Sequence, residues 1–469
     1  MTTEPAPGLA RGLALLVAGA FFMEILDATV IAPAAPHIAA ELGIQAVAVN
    51  VAITAYVLTL AVLIPISGWL TDRFGARQIF VAAIAVFTLA SAGCAAATDL
   101  PMLVATRVLQ GVGGAMMVPV GRLVVIRTTA KTDLVKAIAY LTWPALAAPL
   151  VAPALGGVLS TYASWRWIFL VNVPLGLAAL VLARRLVPDV RTHDAHPLDW
   201  RGFLLAATGI AALVVGLESV AAPQPDWPFA IGVLVVAGAG LAVTVGYLLR
   251  TARPLLDLRI VRVRTYRVTA LGGSVFRAVI TAIPFLLPLF FQLGFGWNAA
   301  HAGLVVIALF AGNVGIKPAT TPLMRRFGIR TVMLGSVVAS AACLVAMAFV
   351  QRTTPLPVLL AVLTLSGIFR SIGFTAYNTA AFADVPADQM TSANTLMSTV
   401  QELGAGLGVA VGALLVRFGD PAAAALGLGT GDDAAFRVAF VLLAAILAGS
   451  AAEAFALPHT AGNAVVGRN

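Results

Sequence analysis

Apolar residues run along this chain in long unbroken blocks separated by short polar turns. A helix that crosses a bilayer needs roughly 20 mainly apolar residues. Fourteen stretches meet that length, near 11–33, 47–71, 77–98, 101–126, 134–160, 167–187, 201–220, 228–250, 267–292, 300–320, 329–350, 355–382, 390–417 and 434–456. Strands are excluded, because barrel spans alternate polar and apolar positions and these blocks do not. The pattern predicts an all-α membrane protein with 14 transmembrane helices.

The turns between spans differ in charge. Arg73 and Arg77 follow span 2; Arg127, Lys131 and Lys136 follow span 4; Arg184, Arg185 and Arg191 follow span 6. Six arginines from Arg250 to Arg267 follow span 8, and Arg325, Arg326 and Arg330 follow span 10. The opposite loops hold stragglers such as Arg166, Arg352 and Arg417. Cytoplasmic loops accumulate Lys and Arg, so the asymmetry puts both termini in the cytoplasm. The first apolar block is too long for a signal-peptide core of about 7–15 residues and carries Asp27, which reads as a retained span.

Composition narrows the class. The chain of 469 residues is 60% hydrophobic and 10% charged, with mean hydropathy +0.98. That is too little polar side chain to cover a globule in water, which excludes a soluble enzyme, a nucleic-acid-binding domain and a disordered regulator. The net charge of +9 needs no nucleic acid, since the cytoplasmic turns account for it. Cys94 and Cys343 lie within apolar blocks and read as small packing residues.

An internal echo divides the chain. Leu70-Thr-Asp-Arg-Phe-Gly-Ala-Arg77 after span 2 returns as Leu323-Met-Arg-Arg-Phe-Gly-Ile-Arg330 after span 10. This predicts a six-helix half over 1–187, a linker with two inserted helices over 188–266, and a second six-helix half over 267–469. Transporters built from repeated halves bind substrate near the midplane and work by rocking. No GxxxxGK[ST] run is present, so active transport would draw on an ion gradient.

Charges inside spans are costly unless paired or facing water, and they mark function. Glu24 and Asp27 share a face of span 1; Arg107 and Gln110 share a face of span 4; Arg277, Arg370 and Glu402 lie in spans 9, 12 and 13. A desolvated carboxylate can load and release protons near neutral pH. Asp27, Glu24 and Glu402 are thus candidate proton carriers, with Arg107 as charge partner; a static Asp27–Arg107 ion pair is the alternative. Gln110, Arg277 and Arg370 are candidate substrate-cavity residues. Lys317 lies near enough to the cytoplasmic end of span 10 to snorkel. Pro144, Pro149, Pro153, Gly156 and Gly157 make span 5 a pliable seam or a kinked packing helix. No metal-ligand spacing appears, and His193 and His196 read as solvated linker residues.

Several motifs resemble the major facilitator superfamily. Gly68-Trp-Leu-Thr-Asp-Arg-Phe-Gly-Ala-Arg77 is similar to its motif A, Arg107-Val-Leu-Gln-Gly-Val-Gly-Gly-Ala115 to motif B, and Pro149-Leu-Val-Ala-Pro-Ala-Leu-Gly-Gly157 to the antiporter motif C. Leu26-Asp-Ala-Thr29 with Pro36, and Trp165-Arg-Trp-Ile-Phe169 with Asn172-Val-Pro-Leu-Gly176, resemble the fourteen-helix drug:proton antiporter family (EmrB/QacA type). Within that family, residues 110–122 are most similar to the MdtD-like multidrug transporters. Ala148, Ala152 and Ala32 depart from the family pattern, and Glu402 stands where a Gln is expected.

The resemblance implies a major facilitator fold of two six-helix halves plus two extra helices, alternating between inward and outward openings. It implies a cytoplasmic gate at Gly68, Asp72, Arg73, Gly75 and Arg77, antiporter residues Pro149, Pro153, Gly156 and Gly157, and proton coupling at Asp27 and Arg107. The leading reading is a monomeric, multi-pass protein of a bacterial cytoplasmic (inner) membrane. It would export amphipathic, cationic compounds in exchange for protons, with no cofactor and no nucleic-acid partner. The alternative is proton-coupled export of an anionic metabolite or organic acid, resting on Arg107, Arg277 and Arg370. A sensor, a passive channel and a membrane enzyme are disfavoured.

Overall fold

A computed structural model describes residues 11–44, 46–130, 133–188, 197–222, 224–297, 299–419, 423, 433–455 and 457–458. Inside hydrocarbon a backbone must satisfy its own hydrogen bonds, and the described residues do so as helices, without a strand. The helices are α1 (Arg11–Leu42), α2 (Asn50–Leu63), α3 (Ser67–Phe74), α4 (Ala76–Ala95), α5 (Leu100–Thr128), α6 (Leu134–Tyr162), α7 (Trp167–Leu170) and α8 (Asn172–Leu186). They continue as α9 (Trp200–Ala221), α10 (Trp227–Arg250), α11 (Arg264–Leu289), α12 (Ala299–Gly315), α13 (Lys317–Phe327), α14 (Ile329–Ala348), α15 (Leu356–Ala383), α16 (Met390–Arg417) and α17 (Ala434–Phe455).

Among the described residues, twelve helices are long and apolar enough to cross a membrane, and a bent pair makes a thirteenth. The helix α6, at the place of the fifth expected span, has 29 residues. Two expectations change. The first helix runs on to Leu42 through Pro33 and Pro36. The tenth span breaks by 50° between Gly315 and Lys317, so it is two helices. That bend turns Lys317 inward: it is 9% exposed and donates from Nζ to Thr375 Oγ1 at 2.8 Å, so it does not snorkel.

The chain divides into two compact units, one of Met1–Ala211, Ala239–Leu258 and Pro386–Thr399, the other of Ala212–Gly238, Arg259–Val385 and Val400–Asn469. Each carries one copy of the repeated turn. Gly75 (φ 89°) joins α3 to α4, and Gly328 (φ 82°) joins α13 to α14. Both glycines donate a backbone N–H to the preceding helix, Gly75 to Thr71 O and Gly328 to Met324 O, each at 2.9 Å. Only glycine adopts that conformation without a Cβ penalty.

Packing repeats as well. In the first unit α5 packs on α1, α2 and α4, and α8 packs on α1 and α4; in the second α15 packs on α11, α12 and α14, and α17 on α11 and α14. Glycines set the closest crossings. A Cβ on Gly111 would lie 2.9 Å from Tyr56 O, and one on Gly113 would lie 2.8 Å from Ala83 O, so these glycines let α2 and α4 close on α5. A Cβ on Gly367 would overlap the Leu309 carbonyl, and one on Gly408 the Ala278 carbonyl, in the second unit. Outward faces remain apolar: Val235 and Val236 of α10 are each 65% exposed, a surface that lipid satisfies and water does not.

Candidate functional site

Among the described residues, the buried charges of the first unit meet at one point. Asp27 on α1 and Arg107 on α5 are both fully buried. The α5 start is fixed by Asp99, whose Oδ1 accepts from Met102 N at 2.8 Å, with Pro101 in the first turn where no N–H is needed. Two turns on, Arg107 Nη1 donates to Asp27 Oδ2 in a short ion pair and to Gln110 Oε1 at 2.8 Å. Asp27 Oδ1 accepts from Gln110 Nε2 at 2.9 Å and from Asn172 Nδ2, on α8, at 2.8 Å. Gln110 Nε2 also donates to Ser91 Oγ on α4 at 2.7 Å.

Aromatic and backbone groups complete the enclosure. The guanidinium of Arg107 lies 4.1 Å above the Tyr56 ring, and its Nε donates to Ala52 O at 3.4 Å, both on α2. Asp27 of α1 therefore meets α5 and α8 directly, with α2 and α4 joined through Arg107 and Gln110, and its three partners all donate to its ionised form. An ionised carboxylate accepts only, whereas a protonated one must place an O–H. Adding a proton to Asp27 removes the charge that holds Arg107 and sets an O–H among donors, which forces the network to rearrange. The expected trio of Asp27, Arg107 and Gln110 is brought together, in the geometry of an ion pair.

Glu24 lies one turn before Asp27, half-buried, with its Cγ 3.6 Å from where a Gly114 Cβ would be. The remaining embedded charges gather in the second unit. The Arg277 guanidinium lies 4.9 Å from the Phe374 ring centroid and is the charged neighbour of both Glu402 and Arg370. Arg370 is 5% exposed. The two sets of candidate residues thus form separate clusters, one in each unit.

The motif A residues form a third cluster, at the turn between α3 and α4. Thr391 Oγ1 donates to Asp72 Oδ1 at 3.2 Å, Arg127 Nη2 donates to Thr391 Oγ1, and Arg127 stands 3.7 Å from Asp72. A Cβ on Gly68 would press on Thr391 and Thr395. Arg77 donates from Nη2 to Arg184 O, and Arg73 is exposed. In motif C, Gly156 is in close approach, since a Cβ there would lie 2.6 Å from Val30 O of α1, while Gly157 faces open space. The side chains of Pro144, Pro149 and Pro153 lie outside the described residues, as do Lys131, Arg191, His193 and His196. Among the described residues no His, Cys, Asp and Glu group could hold a metal ion.

Sequence reasoning did not single out Asn172, Ser91, Tyr56 or Thr391. Each is a lone polar residue within or beside an apolar block, and its partner lies far away in sequence; only the quoted Asn172-Val-Pro segment pointed near the site.

Comparison with known proteins agrees with this architecture. The family model of the Major Facilitator Superfamily matches residues 17–408 and 269–464. MdtD of Cronobacter sakazakii, provisionally named a multidrug resistance protein, is 40% identical over 409 residues, covering 86% of this chain and 85% of that one. Its namesake in Klebsiella pneumoniae strain 342 is 38% identical over 411 residues, covering 87% of each. Among solved structures, the proton:xylose symporter XylE superposes with a TM-score of 0.64 at 13% identity over 97% of both chains. The human organic anion transporter MFSD10 gives 0.62 at 11% identity over 95% of this chain and 99% of that one. At such identities the two structures speak to the fold alone. A repeated helix order, a glycine turn in each unit, and relatives matching along most of their length lead to one assignment: the chain belongs to the major facilitator superfamily.

Proposed function

We propose that this protein is a secondary transporter that exports amphipathic compounds from the bacterial cytoplasm in exchange for protons, by alternating access. Both termini face the cytoplasm, and a single chain carries the full cycle. The observation that carries the reading is the buried Asp27–Arg107 pair with Gln110 and Asn172. A protonatable group bonded directly to α5 and α8, and through Arg107 and Gln110 to α2 and α4, couples its charge state to their packing, and a single proton on Asp27 loosens α5 and α8 from α1. Relatives named for multidrug resistance support the class of cargo.

Around that centre, the Asp72–Thr391–Arg127 link serves as a cytoplasmic gate latch, and Gly156 lets α6 slide on α1 beside Val30. Glu24 and Glu402 are further proton-responsive positions. The energy source is the proton gradient, with no cofactor.

Transport by the purified protein in proteoliposomes, with an imposed pH gradient and a fluorescent amphipathic dye, tests this reading. Dye accumulation that follows the gradient and stops when nigericin collapses it is the expected result. Accumulation at the same rate without a gradient would overturn proton coupling.

A further inference from the structure

The internal repeat has a register that can be read residue by residue. Tyr56 precedes the turn glycine Gly75 by nineteen residues, and Leu309 precedes Gly328 by nineteen. Gly111 closes on the Tyr56 carbonyl, and Gly367 closes on the Leu309 carbonyl. The two helix crossings are therefore equivalent. Three residues past each crossing glycine, the first unit has Gly114 and the second has Arg370. Four residues past each carbonyl, the first unit has Leu60, which touches Gly114, and the second has Asn313. A place that is apolar in one unit is polar and cationic in the other.

The polar groups placed there are unsatisfied. Arg370 Nε and Nη1 are buried without a hydrogen-bond partner among the described residues, and so are Asn313 Nδ2 and Oδ1. Asn313 is fully buried, and its backbone N would lie 2.9 Å from a Cβ on Gly367, one turn from Arg370 on the same face. Arg277, the charged neighbour of Arg370, adds a second cation. The acid in this group is Glu402, which faces Arg277. A buried guanidinium is costly unless an anion and hydrogen-bond acceptors meet it, and unpartnered buried donors from a guanidinium and a neighbouring amide are what an oxyanion would satisfy.

We infer that Arg370 and Asn313, backed by Arg277, form a subsite in the second unit for a carboxylate or sulfonate group, so that the cargo is an anionic or zwitterionic amphipath. This favours the anionic alternative over the cationic leading reading of the sequence, and it deepens the transport reading on which it rests. In the first unit the buried acid Asp27 is already matched by Arg107 and is not open to a cation.

Equilibrium binding separates this claim from transport. Fluorescein and rhodamine 6G share a xanthene core and carry opposite charge, so they serve as matched probes. Each is titrated by fluorescence anisotropy against the full-length protein in phosphatidylcholine nanodiscs, with empty nanodiscs subtracted and no gradient present. The expected result is saturable fluorescein binding that weakens by about tenfold or more in Arg370→Gln and is partly kept in Arg370→Lys. Rhodamine 6G binding should not depend on Arg370.

Because Arg370→Gln can fail to fold, Asn313→Asp supplies a second arm. A carboxylate there would occupy the Arg370 donors internally, raising the melting temperature while abolishing fluorescein binding. Absence of saturable fluorescein binding to the wild type, or unchanged fluorescein affinity in Arg370→Gln and Asn313→Asp, would overturn the subsite. Fluorescein binding with these dependences, beside failed gradient-driven transport, would uphold the subsite and reject the coupling.

Discussion

Asn172 donates its side-chain amide to Asp27 Oδ1 at 2.8 Å, tying the first turn of α8 to the middle of α1 across 145 residues of sequence. With Arg107 and Gln110 it makes Asp27 a junction whose bonding depends on one charge. The first prediction follows from that geometry. Removing one partner of a buried pair leaves an uncompensated charge, which costs about 3–5 kcal/mol, whereas replacing both by apolar groups is often neutral. Asp27→Ala and Arg107→Leu singly should each lower stability to denaturant in micelles, and the double variant should recover most of the loss. Additive losses would show that the pair is not energetically coupled.

Two adjacent glycines of α6 should behave oppositely. A Cβ on Gly156 would sit 2.6 Å from the Val30 carbonyl oxygen, while Gly157 has nothing within 4 Å. Gly156→Ala should lower the melting temperature and slow transport, as backbone has no room to yield. Gly157→Ala should leave both unchanged or raise stability by up to about 1 kcal/mol through helix propensity. Thermal melts of the two purified variants check this directly.

The repeated turn predicts matched penalties in the two units. Gly75 and Gly328 share φ near 85° (89° and 82°) and the same hydrogen bond back to the preceding helix. With ψ of 142° and 155° that backbone is essentially confined to glycine, and an L-residue there costs about 1–3 kcal/mol. Gly75→Ala and Gly328→Ala should therefore lower melting temperatures by similar amounts, and a loss confined to one of them would show that the two turns are not equivalent.

Asp199 fastens the inserted helix pair. Its Oδ1 accepts from Gly202 N at 2.9 Å and from Tyr247 Oη at 2.8 Å, and its Oδ2 accepts from Leu255 N at 3.2 Å. One carboxylate thus joins the start of α9, the end of α10 and the segment after it. Loss of a cap alone costs about 1 kcal/mol. Asp199→Ala should speed proteolysis after Arg253 by several-fold, whereas Asp199→Asn, which keeps the acceptor, should do so less. Equal cleavage rates in wild type and Asp199→Ala would contradict the fastening role.

Much of this arrangement was legible in the sequence, because a bilayer demands long apolar blocks and penalises each embedded charge. Among the described residues each of the fourteen blocks coincides with helix over most of its length, and the echo of Leu70–Arg77 in Leu323–Arg330 returned as two turns with closely similar backbone. Asp27, Arg107 and Gln110 announced themselves as charged or polar residues out of place. Asn172 and Asn313 did not, since a single amide in an apolar run has no periodicity and its partner is set by helix packing. Lys317 misled for a related reason: its distance from the span end was readable, but the 50° bend that turns it toward Thr375 was not. Asp199 was invisible because two of its partners lie 48 and 56 residues away.

If the proton acts through Asp27, a single substitution separates coupling from transport. Proteoliposomes holding wild type or Asp27→Asn are assayed for two activities with one dye: accumulation driven by a pH gradient, and exchange of labelled for unlabelled dye at equal pH. Asparagine keeps the shape and cannot carry the charge. Asp27→Asn is expected to lose gradient-driven accumulation and keep exchange. A variant that still concentrates dye with the wild-type dependence on the gradient would contradict it.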